Sequence, residues 1–276
     1  MSKLMSIVVL NWNRLRYTRQ TVENIVVKTT VPHILTLVDN NSTEESGVRQ
    51  YLSSITEKNT NATKVIHVFN GKNLGVSNGR NSGIYAVEQL GFAPEYIFNV
   101  DDDVLLPDNY DVAIRDACDN IPKLGITGVN VEPNKYPIIS MNGINMQIKR
   151  AGNLGGAALA LPRRVFKTIG YYGFGLGTLY AHEDSYIRYK LDMLGLISAY
   201  IQSRGIHLDN DADKSYRIAK NKAHEKGSLQ LRELSKSVAE MRKTGIIYTP
   251  YTLPEQYRPI DEDIFTNDLI TKDKIK

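Results

Sequence analysis

The chain is 276 residues long, is 42% hydrophobic, and carries 34 basic and 30 acidic residues for a formal net charge of +4. This length and apolar content predict one large folded domain and exclude a largely disordered chain. So small a net charge gives no reason to expect nucleic acid as a partner. The only cysteine, Cys118, excludes an internal disulfide and a thiolate zinc site, and we expect it to be a small packing residue of a helix.

The first five residues lead directly into an apolar run, which leaves too little length for a signal peptide. No apolar run approaches the roughly 18 to 20 residues that are needed to cross a bilayer. We therefore expect a soluble, cytoplasmic protein. The sequence leaves peripheral membrane contact and the oligomeric state open.

The first hundred residues alternate apolar, β-branched runs with segments of helical periodicity. The predicted strands are Ser6 to Leu10, Ile34 to Val38, Lys64 to Phe69 and Tyr96 to Val100. The predicted helices are a segment with Val22, Ile25 and Val26, a segment with Val48, Tyr51, Leu52 and Ile55, and the segment from about Ser77 to Leu90. This alternation predicts an α/β fold, in which a parallel sheet is covered by helices on both faces.

A polar cluster follows each of the four predicted strands. The clusters are Asn11-Trp12-Asn13, Asp39-Asn40-Asn41, the loop from Gly71 to Arg80, and Asp101-Asp102-Asp103. Because the carboxyl ends of parallel strands meet at one edge, where open α/β sheets bind ligands, we expect these clusters to form a site. Neither a Gly-x-Gly-x-x-Gly segment nor a Gly-Lys-Ser/Thr loop is present, which disfavours a dinucleotide fold and a P-loop enzyme.

The three consecutive carboxylates from Asp101 to Asp103 end the fourth strand and precede apolar residues. Acidic groups at the edge of a packed core repel one another and need a positive partner, for which a divalent cation is the simplest candidate. The alternative is an acidic turn between a strand and a loop, ended by Pro107.

The elements after residue 104 are less regular. A helix is predicted from Pro107 to Pro122, and two strands, Ile126 to Val131 and Ile144 to Ile148, are expected to extend the sheet. A strand-like run from Leu154 to Leu161 contains Gly155 and Gly156, which either admit a ligand close to the backbone or serve strand packing. A helix then begins near Glu183 and Asp184 and stops at Gly195, and a strand from Ile197 to Ile201 precedes His207.

The composition changes after Asp211. Residues 212–247 hold nine basic and four acidic residues, and Leu231, Leu234, Val238 and Met241 give a helix with one apolar side. The part from Tyr248 to Lys276 is expected to be an extended arm or partly disordered. Lys214 and Arg217 follow His207 in the sequence, and from this position alone we expect them to close over a bound ligand.

Four segments carry a resemblance to a known family when they are taken in order. They are Ile7-Val8-Val9-Leu10-Asn11-Trp12-Asn13-Arg14, Val38-Asp39-Asn40-Asn41-Ser42, Asn73-Leu74-Gly75-Val76-Ser77-Asn78-Gly79-Arg80-Asn81, and Asp101-Asp102-Asp103. The chain resembles the family 2 glycosyltransferases of the GT-A fold over most of residues 6 to about 209. The resemblance implies a catalytic domain over residues 1–211, with a nucleotide-binding half to about residue 103 and an acceptor half after it, followed by a helical and extended segment over residues 212–276.

The resemblance implies that the strand-end segments bind a nucleoside-diphosphate sugar. Asp39 would accept a hydrogen bond from the base, Asn11 and Trp12 would line the base pocket, Arg80 would lie near the base or the diphosphate, and Asp101 would contact the ribose or a metal-bound water. The full expected donor-binding set is Asn11, Trp12, Asn13, Asp39, Gly75, Arg80, Asp101, Asp102, Gly156, Lys214 and Arg217.

Three of these residues have structural alternatives. The family more often has a tyrosine or a smaller residue in place of Trp12, and this indole is equally a candidate for the core. Asp39 could form an Asx turn. Arg80 could only pair with an acid at the surface.

The resemblance also implies a metal site and a catalytic base. Asp103 and His207 would bind Mn²⁺ or Mg²⁺, for which carboxylate and imidazole are suitable ligands. Asp184 would be the base, with Glu183 and His182 holding the acceptor. The alternative for Glu183 and Asp184 is the ordinary preference of acids for the first turn of a helix.

The sequence therefore predicts an inverting, metal-dependent transfer of a sugar from a nucleoside-diphosphate sugar, with UDP as the first guess, to a hydroxyl of a glycan or other acceptor. One alternative is a nucleotidyltransferase that makes sugar nucleotides, although the glycine-rich basic loop that usually follows the first strand of such enzymes is missing between Asn11 and Arg16. The other alternative is a protein that binds a sugar nucleotide or glycan without turning it over.

Overall fold

The computed structural model describes residues 3–149, 154–172 and 183–208, together with residues 217, 218, 221, 236, 239, 240, 243 and 244. The expected C-terminal helix and the expected arm therefore lie almost wholly outside the described residues. In the described part, no helix is long and apolar enough to span a bilayer.

The described residues form a mixed α/β structure. The strands are β1 (Met5–Asn11), β2 (His33–Asp39), β3 (Lys64–Phe69), β4 (Tyr96–Asp101), β5 (Val104–Leu105), β6 (Leu124–Gly128), β7 (Ile138–Met141), β8 (Ile144–Gln147), β9 (Ala158–Pro162), β10 (Ile197–Ser198), β11 (Tyr200–Ile201) and β12 (Ile206–His207). The helices are α1 (Leu15–Lys28), α2 (Val48–Ser53), α3 (Gly75–Gln89), α4 (Tyr110–Asn120), α5 (Arg163–Ile169) and α6 (Glu183–Met193).

A seven-stranded sheet organises the molecule, with the strand order β10-β6-β9-β4-β1-β2-β3. Strands β1 to β4 are mutually parallel, and β9 runs antiparallel between β4 and β6. Every residue of β1 and β2 is buried, as the continuous apolar runs predicted for strands that are covered on both faces. The predicted α/β fold, with helices on both faces of a central sheet, is confirmed, and the antiparallel β9 makes that sheet mixed.

Helix α3 packs unusually close to the sheet. A Cβ atom at Gly79 would lie 2.6 Å from Leu10, and one at Gly83 would lie 2.5 Å from Val8. The two glycines are four residues apart and therefore share one face of the helix. This close approach brings the first turn of α3 to the carboxyl ends of β1 and β2.

The prediction that Ile144 to Ile148 extends the main sheet is wrong. Strand β8 instead pairs with β7 and β11 in a separate three-stranded sheet. The predicted strand from Ile197 to Ile201 is divided, because its first part joins β6 in the main sheet and its second part joins β8. Strand β7, which is largely exposed, was not predicted, since its pairing depends on β8 and not on a buried apolar face.

Two apolar cores cover the opposite faces of the main sheet. One core includes Ile7, Val9, Leu35 and Leu37, and the other includes Val8, Ile34 and Val38. This is the alternation that a strand with both faces buried requires. Cys118 is buried in the first core as a free thiol, which confirms its expected packing role.

Candidate functional site

The expected polar clusters meet at one edge of the main sheet. Asn11 is paired with Asp39 in the ladder of β1 and β2, and Leu10 is paired with Asp101 in the ladder of β1 and β4. The segment before β9 reaches the same edge, since the Asp101 amide donates to the Ala157 carbonyl at 2.8 Å. Parallel strand ends therefore gather these groups, as the strand pattern predicted.

Asp101, which is partly exposed, forms an ion pair with a buried arginine at this edge. The Arg80 guanidinium, which is 1% exposed, donates to Oδ1 of Asp101 at 2.6 Å and to the Gly156 carbonyl at 2.9 Å. The weak surface pair that was one interpretation of Arg80 is therefore not what forms. Arg80 joins three separate parts of the chain, α3, the end of β4 and the turn before β9.

The next two carboxylates share one arginine that the sequence analysis did not single out. Arg14 pairs through Nη2 with Asp102 and through Nη1 with Asp103, the latter at 2.9 Å. All three side chains are at most 8% exposed. Asp102 was expected to contact the donor. In the structure its Oδ1 pairs with Arg14, and its Oδ2 lies 3.4 Å from the Thr18 hydroxyl. The positive charge that three buried acids require thus comes in part from Arg14 and Arg80.

Asp103 keeps one oxygen for another partner. Its Oδ2 faces Arg14, whereas its buried Oδ1 makes no hydrogen bond of good geometry and lies 3.3 Å from Nε2 of His207. His207 is held there by the pairing of β12 with β5, and the Leu208 amide donates to the Asp103 carbonyl at 2.7 Å. A carboxylate oxygen and an imidazole nitrogen that face each other suit a cation such as Mn²⁺.

Within the described residues, no cluster of three or more His, Cys, Asp or Glu side chains could hold a metal. Asp103 and His207 would therefore be the two ligands from this part of the chain. Ions such as Mg²⁺ commonly take few protein ligands and complete their shell with phosphate oxygens and water. The donor set fits a cation that is bound together with a diphosphate.

The surroundings shift the pKa values of the three acids at this edge in different directions. Burial is the main cause that raises the pKa of Asp101 and of Asp102, and the neighbouring carboxylate of Asp103 adds to it. Burial would also raise the pKa of Asp103, but His207 and Arg14 outweigh it and lower that pKa. Asp103 is therefore the acid of the three that is best kept ionised, as a metal ligand must be.

The loops after β1 and β2 are tied to each other. The Asn13 amide donates to the Ser42 hydroxyl at 2.9 Å, and the Thr43 amide donates to Oδ1 of Asn13 at 2.7 Å. Asn11 is fully buried, and its side chain donates to the carbonyls of Val9 and Val38. These residues fix the shape of the expected base pocket.

Asp39 and Trp12 lie in the same region. Oδ1 of Asp39 accepts from the Ser42 amide at 2.9 Å, three residues along the chain and not two as in an Asx turn, and its Oδ2 lies 3.2 Å from Nε of Arg49. The role of Asp39 in base binding stays a prediction. Trp12 is half-buried and belongs to neither apolar core.

A network of amide side chains supports the start of α3. The Asn40 side chain donates to Oδ1 of Asn73 at 3.0 Å and to the Gly75 carbonyl at 3.1 Å, and it accepts from the Leu74 amide. Asn70 donates to Asn40 and to a serine hydroxyl of α3. Gly75 itself has a φ of +77°, a conformation that favours glycine. The expected donor residue Gly75 is thus held rigidly at the edge.

Helix α6 packs near the start of β6 through its last turns, since a Cβ at Gly125 would be 2.8 Å from Leu191. A helix of eleven residues is about 16 Å long, roughly the length of a five-residue strand. That the first turn of α6, with Asp184, faces the carboxyl ends of the strands stays a prediction. Asp184 is half-buried, and its Oδ1 accepts from the Ser185 amide at 2.7 Å.

Helix α6 also contains a buried lysine. Lys190 is 0% exposed, donates to the Ile169 carbonyl at 2.7 Å and lies over the Tyr186 ring at 4.5 Å. Burial lowers the pKa of Lys190 to about 7.

We expect Lys190 to make the stability of the protein rise with pH. The unfolded chain keeps this amine protonated up to a pKa of about 10.4, whereas the folded chain releases its proton near 7. Above pH 7 the unfolded state therefore binds more protons, and the free energy of unfolding gains up to about 1.4 kcal/mol per pH unit from this group. Denaturant unfolding at pH 7, 8 and 9 should show a steeper rise for the wild type than for Lys190→Met. Parallel pH profiles would contradict this expectation.

For several expected site residues the structure gives no position at the ligand edge. His182 and Lys214 lie outside the described residues, as does the side chain of Glu183, whose backbone begins α6. Arg217 is exposed. The roles expected for these residues stay predictions.

Two residues of this region were missed. Arg14 was quoted only as part of a motif, although its place directly after the first strand and the need of the acids for a positive partner could have identified it. Glu132 binds the Gly155 amide through Oε1 at 3.0 Å. No sequence signal marks Glu132, which stands in an ordinary polar turn.

Comparison with a family of known sequences finds a match to Glycosyl transferase family 2 over residues 6–149. The match covers β1 to β8 and all of the edge groups contributed by the first four strands. No curated protein sequence matches the chain significantly.

Solved structures share the fold at low sequence identity. A mannosyltransferase, PcManGT from Pyrobaculum calidifontis in complex with GDP-Man and Mn²⁺, has a TM-score of 0.56 at 15% identity and covers 83% of this chain and 65% of its own. TarS of S. aureus has a TM-score of 0.55 at 13% identity, with coverages of 86% and 39%. GalNAc-T7 with UDP, GalNAc and Mn²⁺ has a TM-score of 0.53 at 18% identity, with coverages of 75% and 44%.

These similarities concern the fold. In each of the three cases the chain spans less than two thirds of the length of the solved protein, from 39% to 65%. At identities of 13% to 18%, the ligands bound in those structures are not assigned to this chain.

Proposed function

The chain belongs to Glycosyl transferase family 2, and on that premise we propose that it transfers a sugar from a nucleoside-diphosphate sugar to a hydroxyl group, with inversion at the sugar carbon. The observation that carries the proposal is the pair formed by Asp103 and His207, whose facing atoms are 3.3 Å apart at the edge where Asp101 and Arg80 also lie. We take residues 1–211 as the catalytic domain.

Different residues at this edge would bind different parts of the donor. Asp103 and His207 would hold a divalent cation, Mn²⁺ or Mg²⁺, and Asp101 with Arg80 would contact the ribose and the diphosphate. The loops with Asn11, Trp12, Asn13 and Asp39 would receive the base, and Gly75 and Gly156 would let the backbone approach the ligand. When bound, the cation supplies positive charge that offsets the charge growing on the departing diphosphate.

Asp184 would act on the acceptor. Its carboxylate takes the proton of the acceptor hydroxyl while the hydroxyl oxygen bonds to the sugar carbon. The bond from that carbon to the diphosphate breaks in the same displacement, and the nucleoside diphosphate leaves with the electron pair. A single displacement from the opposite face inverts the configuration. Glu183 and His182 would hold the acceptor, a glycan or another alcohol.

We expect a nucleoside diphosphate, first of all UDP, to raise the melting temperature of the full chain only in the presence of Mn²⁺. A ligand at about 100 times its dissociation constant adds about 2.7 kcal/mol to the stability of the folded state. Asp103→Asn should abolish the Mn²⁺-dependent part of the shift. Asp116→Asn, which changes an exposed acid of α4, is the matched control and should keep it.

A panel of nucleotides in the same assay separates the alternatives. A nucleotidyltransferase would be stabilised best by a nucleoside triphosphate and would release pyrophosphate. A binding protein would be stabilised by a sugar nucleotide but would release no nucleoside diphosphate. Equal stabilisation with and without Mn²⁺, or none by any nucleoside diphosphate, would contradict the metal-dependent transfer.

A further inference from the structure

Glu132 receives an unusual number of hydrogen bonds for a residue of a loop. Its Oε1 accepts from the Tyr200 hydroxyl at 2.7 Å and from the Gly155 amide at 3.0 Å, and Lys149 Nζ lies 2.9 and 3.0 Å from its two oxygens. The Tyr136 hydroxyl donates to Oε2. A carboxylate has about four acceptor positions, so these donors occupy the group and leave it no role in binding substrate.

The surroundings of Glu132 favour its ionised form. Burial raises its pKa, but the hydrogen bonds from Lys149, Tyr136 and Tyr200 outweigh burial and lower it. Glu132 is therefore ionised at neutral pH, and hydrogen bonds to an ionised acceptor are stronger than those between neutral groups. It anchors the Gly155 amide more firmly than a neutral side chain would.

Three consecutive residues connect Glu132 to the site. The Gly155 amide donates both to Glu132 and to the Tyr200 hydroxyl, which itself donates to Glu132. The Gly156 carbonyl accepts from Arg80 at 2.9 Å, and the Ala157 carbonyl accepts from the Asp101 amide at 2.8 Å. Neighbouring Cα atoms are about 3.8 Å apart, so a displacement of Gly155 moves the carbonyl that orients Arg80. Space at this turn is limited, since a Cβ at Gly155 would lie 2.9 Å from Oε1 of Glu132.

We propose that Glu132 is a positioning residue for donor binding, which holds residues 155–157 in the place where they orient Arg80 and Asp101. The inference rests on the proposed function, because it takes Arg80 and Asp101 as contacts of the donor. It adds a residue that is remote from the donor and that acts only through the backbone of this turn.

The test is the affinity of the full-length Glu132→Gln variant for UDP in the presence of Mn²⁺, measured by calorimetry. Glutamine keeps the size of the side chain but loses its charge and turns an NH₂ group toward donors. We expect the dissociation constant to rise about 10- to 100-fold, which matches the loss of one hydrogen bond to a charged group. In steady-state kinetics, KM for the donor should rise more than kcat falls.

Glu57→Gln is a matched control. Glu57 also pairs with a lysine, Lys64 at 2.8 Å, and accepts from a backbone amide, that of Val65, but it lies at the opposite edge of the sheet. We expect Glu57→Gln to lower the melting temperature without changing the affinity for UDP. Gly155→Ala is a second route to the same result, because its methyl group would push the turn away from Glu132.

The outcomes distinguish the two proposals. Weaker UDP binding in Glu132→Gln and in Gly155→Ala, but not in Glu57→Gln, supports the positioning role. Unchanged UDP affinity in a folded Glu132→Gln protein overturns it while leaving the proposed function standing. Equal weakening in Glu57→Gln also overturns it, because a general loss of stability would then explain the result. A wild-type protein that binds no nucleoside diphosphate overturns both.

Discussion

The Asp184→Asn variant is expected to lose about 10²- to 10⁴-fold in kcat, the range that a general base contributes. Asparagine cannot take the proton of the acceptor hydroxyl. It does keep an oxygen in the position of Oδ1, which accepts from the Ser185 amide at 2.7 Å, so the first turn of α6 should stay intact. The dissociation constant for the donor should change little, since the proposed donor contacts belong to other elements.

The measurement is the rate of nucleoside diphosphate release at saturating donor and acceptor, together with donor affinity by calorimetry. Asp192→Asn is the matched control, because Asp192 lies on the same helix and its partly exposed side chain pairs with Arg188 one turn away. Near wild-type turnover in Asp184→Asn with intact donor binding would falsify the assignment of the base. A large loss in Asp192→Asn would point to damage of the helix instead.

The second large effect is expected from Arg14→Met, which should destabilise the fold by about 3 to 5 kcal/mol. Removing one member of a buried ion pair leaves the other charge uncompensated. Here Asp102 and Asp103 both lose the guanidinium, although His207 still faces Asp103. The variant should also bind Mn²⁺ more weakly in the presence of UDP, because Oδ2 of Asp103 would no longer be fixed. Urea unfolding and Mn²⁺ titration by electron paramagnetic resonance measure the two effects.

Two further variants test whether the loss of stability comes from the ion pairs of Arg14. Arg115→Met removes an arginine that pairs with Asp116 at a partly exposed site, where about 0 to 1 kcal/mol is expected. Arg14→Lys keeps the charge but lacks the fork that reaches two carboxylates, so its stability should fall between those of the wild type and Arg14→Met. If Arg14→Met costs no more stability than Arg115→Met, the bridging role of Arg14 is wrong.

The four parallel strands of the main sheet could be predicted from the sequence because they are largely buried on both faces. Continuous apolar runs such as Ile34 to Val38 mark such strands, and the alternation with helices fixes their parallel order. The same logic placed the expected donor residues at one edge, since side chains that follow parallel strands must meet there. The same logic could have suggested Arg14 as a partner of the acids, but the pairing of Arg14 with Asp102 itself leaves no local pattern, because the two residues are 88 positions apart.

The second small sheet could not be predicted for a similar reason. Strand β7 is exposed, and it exists through its pairing with β8, which in turn pairs with β11 more than fifty residues later. Short strands with no buried face carry little periodic signal. The role of Glu132 could not be predicted either, because its partners Lys149 and Tyr200 are distant in sequence and are brought to it by this small sheet.

The amide network of Asn40, Asn70 and Asn73 has a consequence for measurements in solution. Amide groups neither gain nor lose a proton at any pH at which the protein would be studied. The hydrogen bonds of this amide network should thus be the same in acid and in alkali, while Asp101 and Asp102 at the edge and Lys190 in α6 change their charge. An activity curve recorded against pH would then report those ionising groups, with no contribution from the amide network itself.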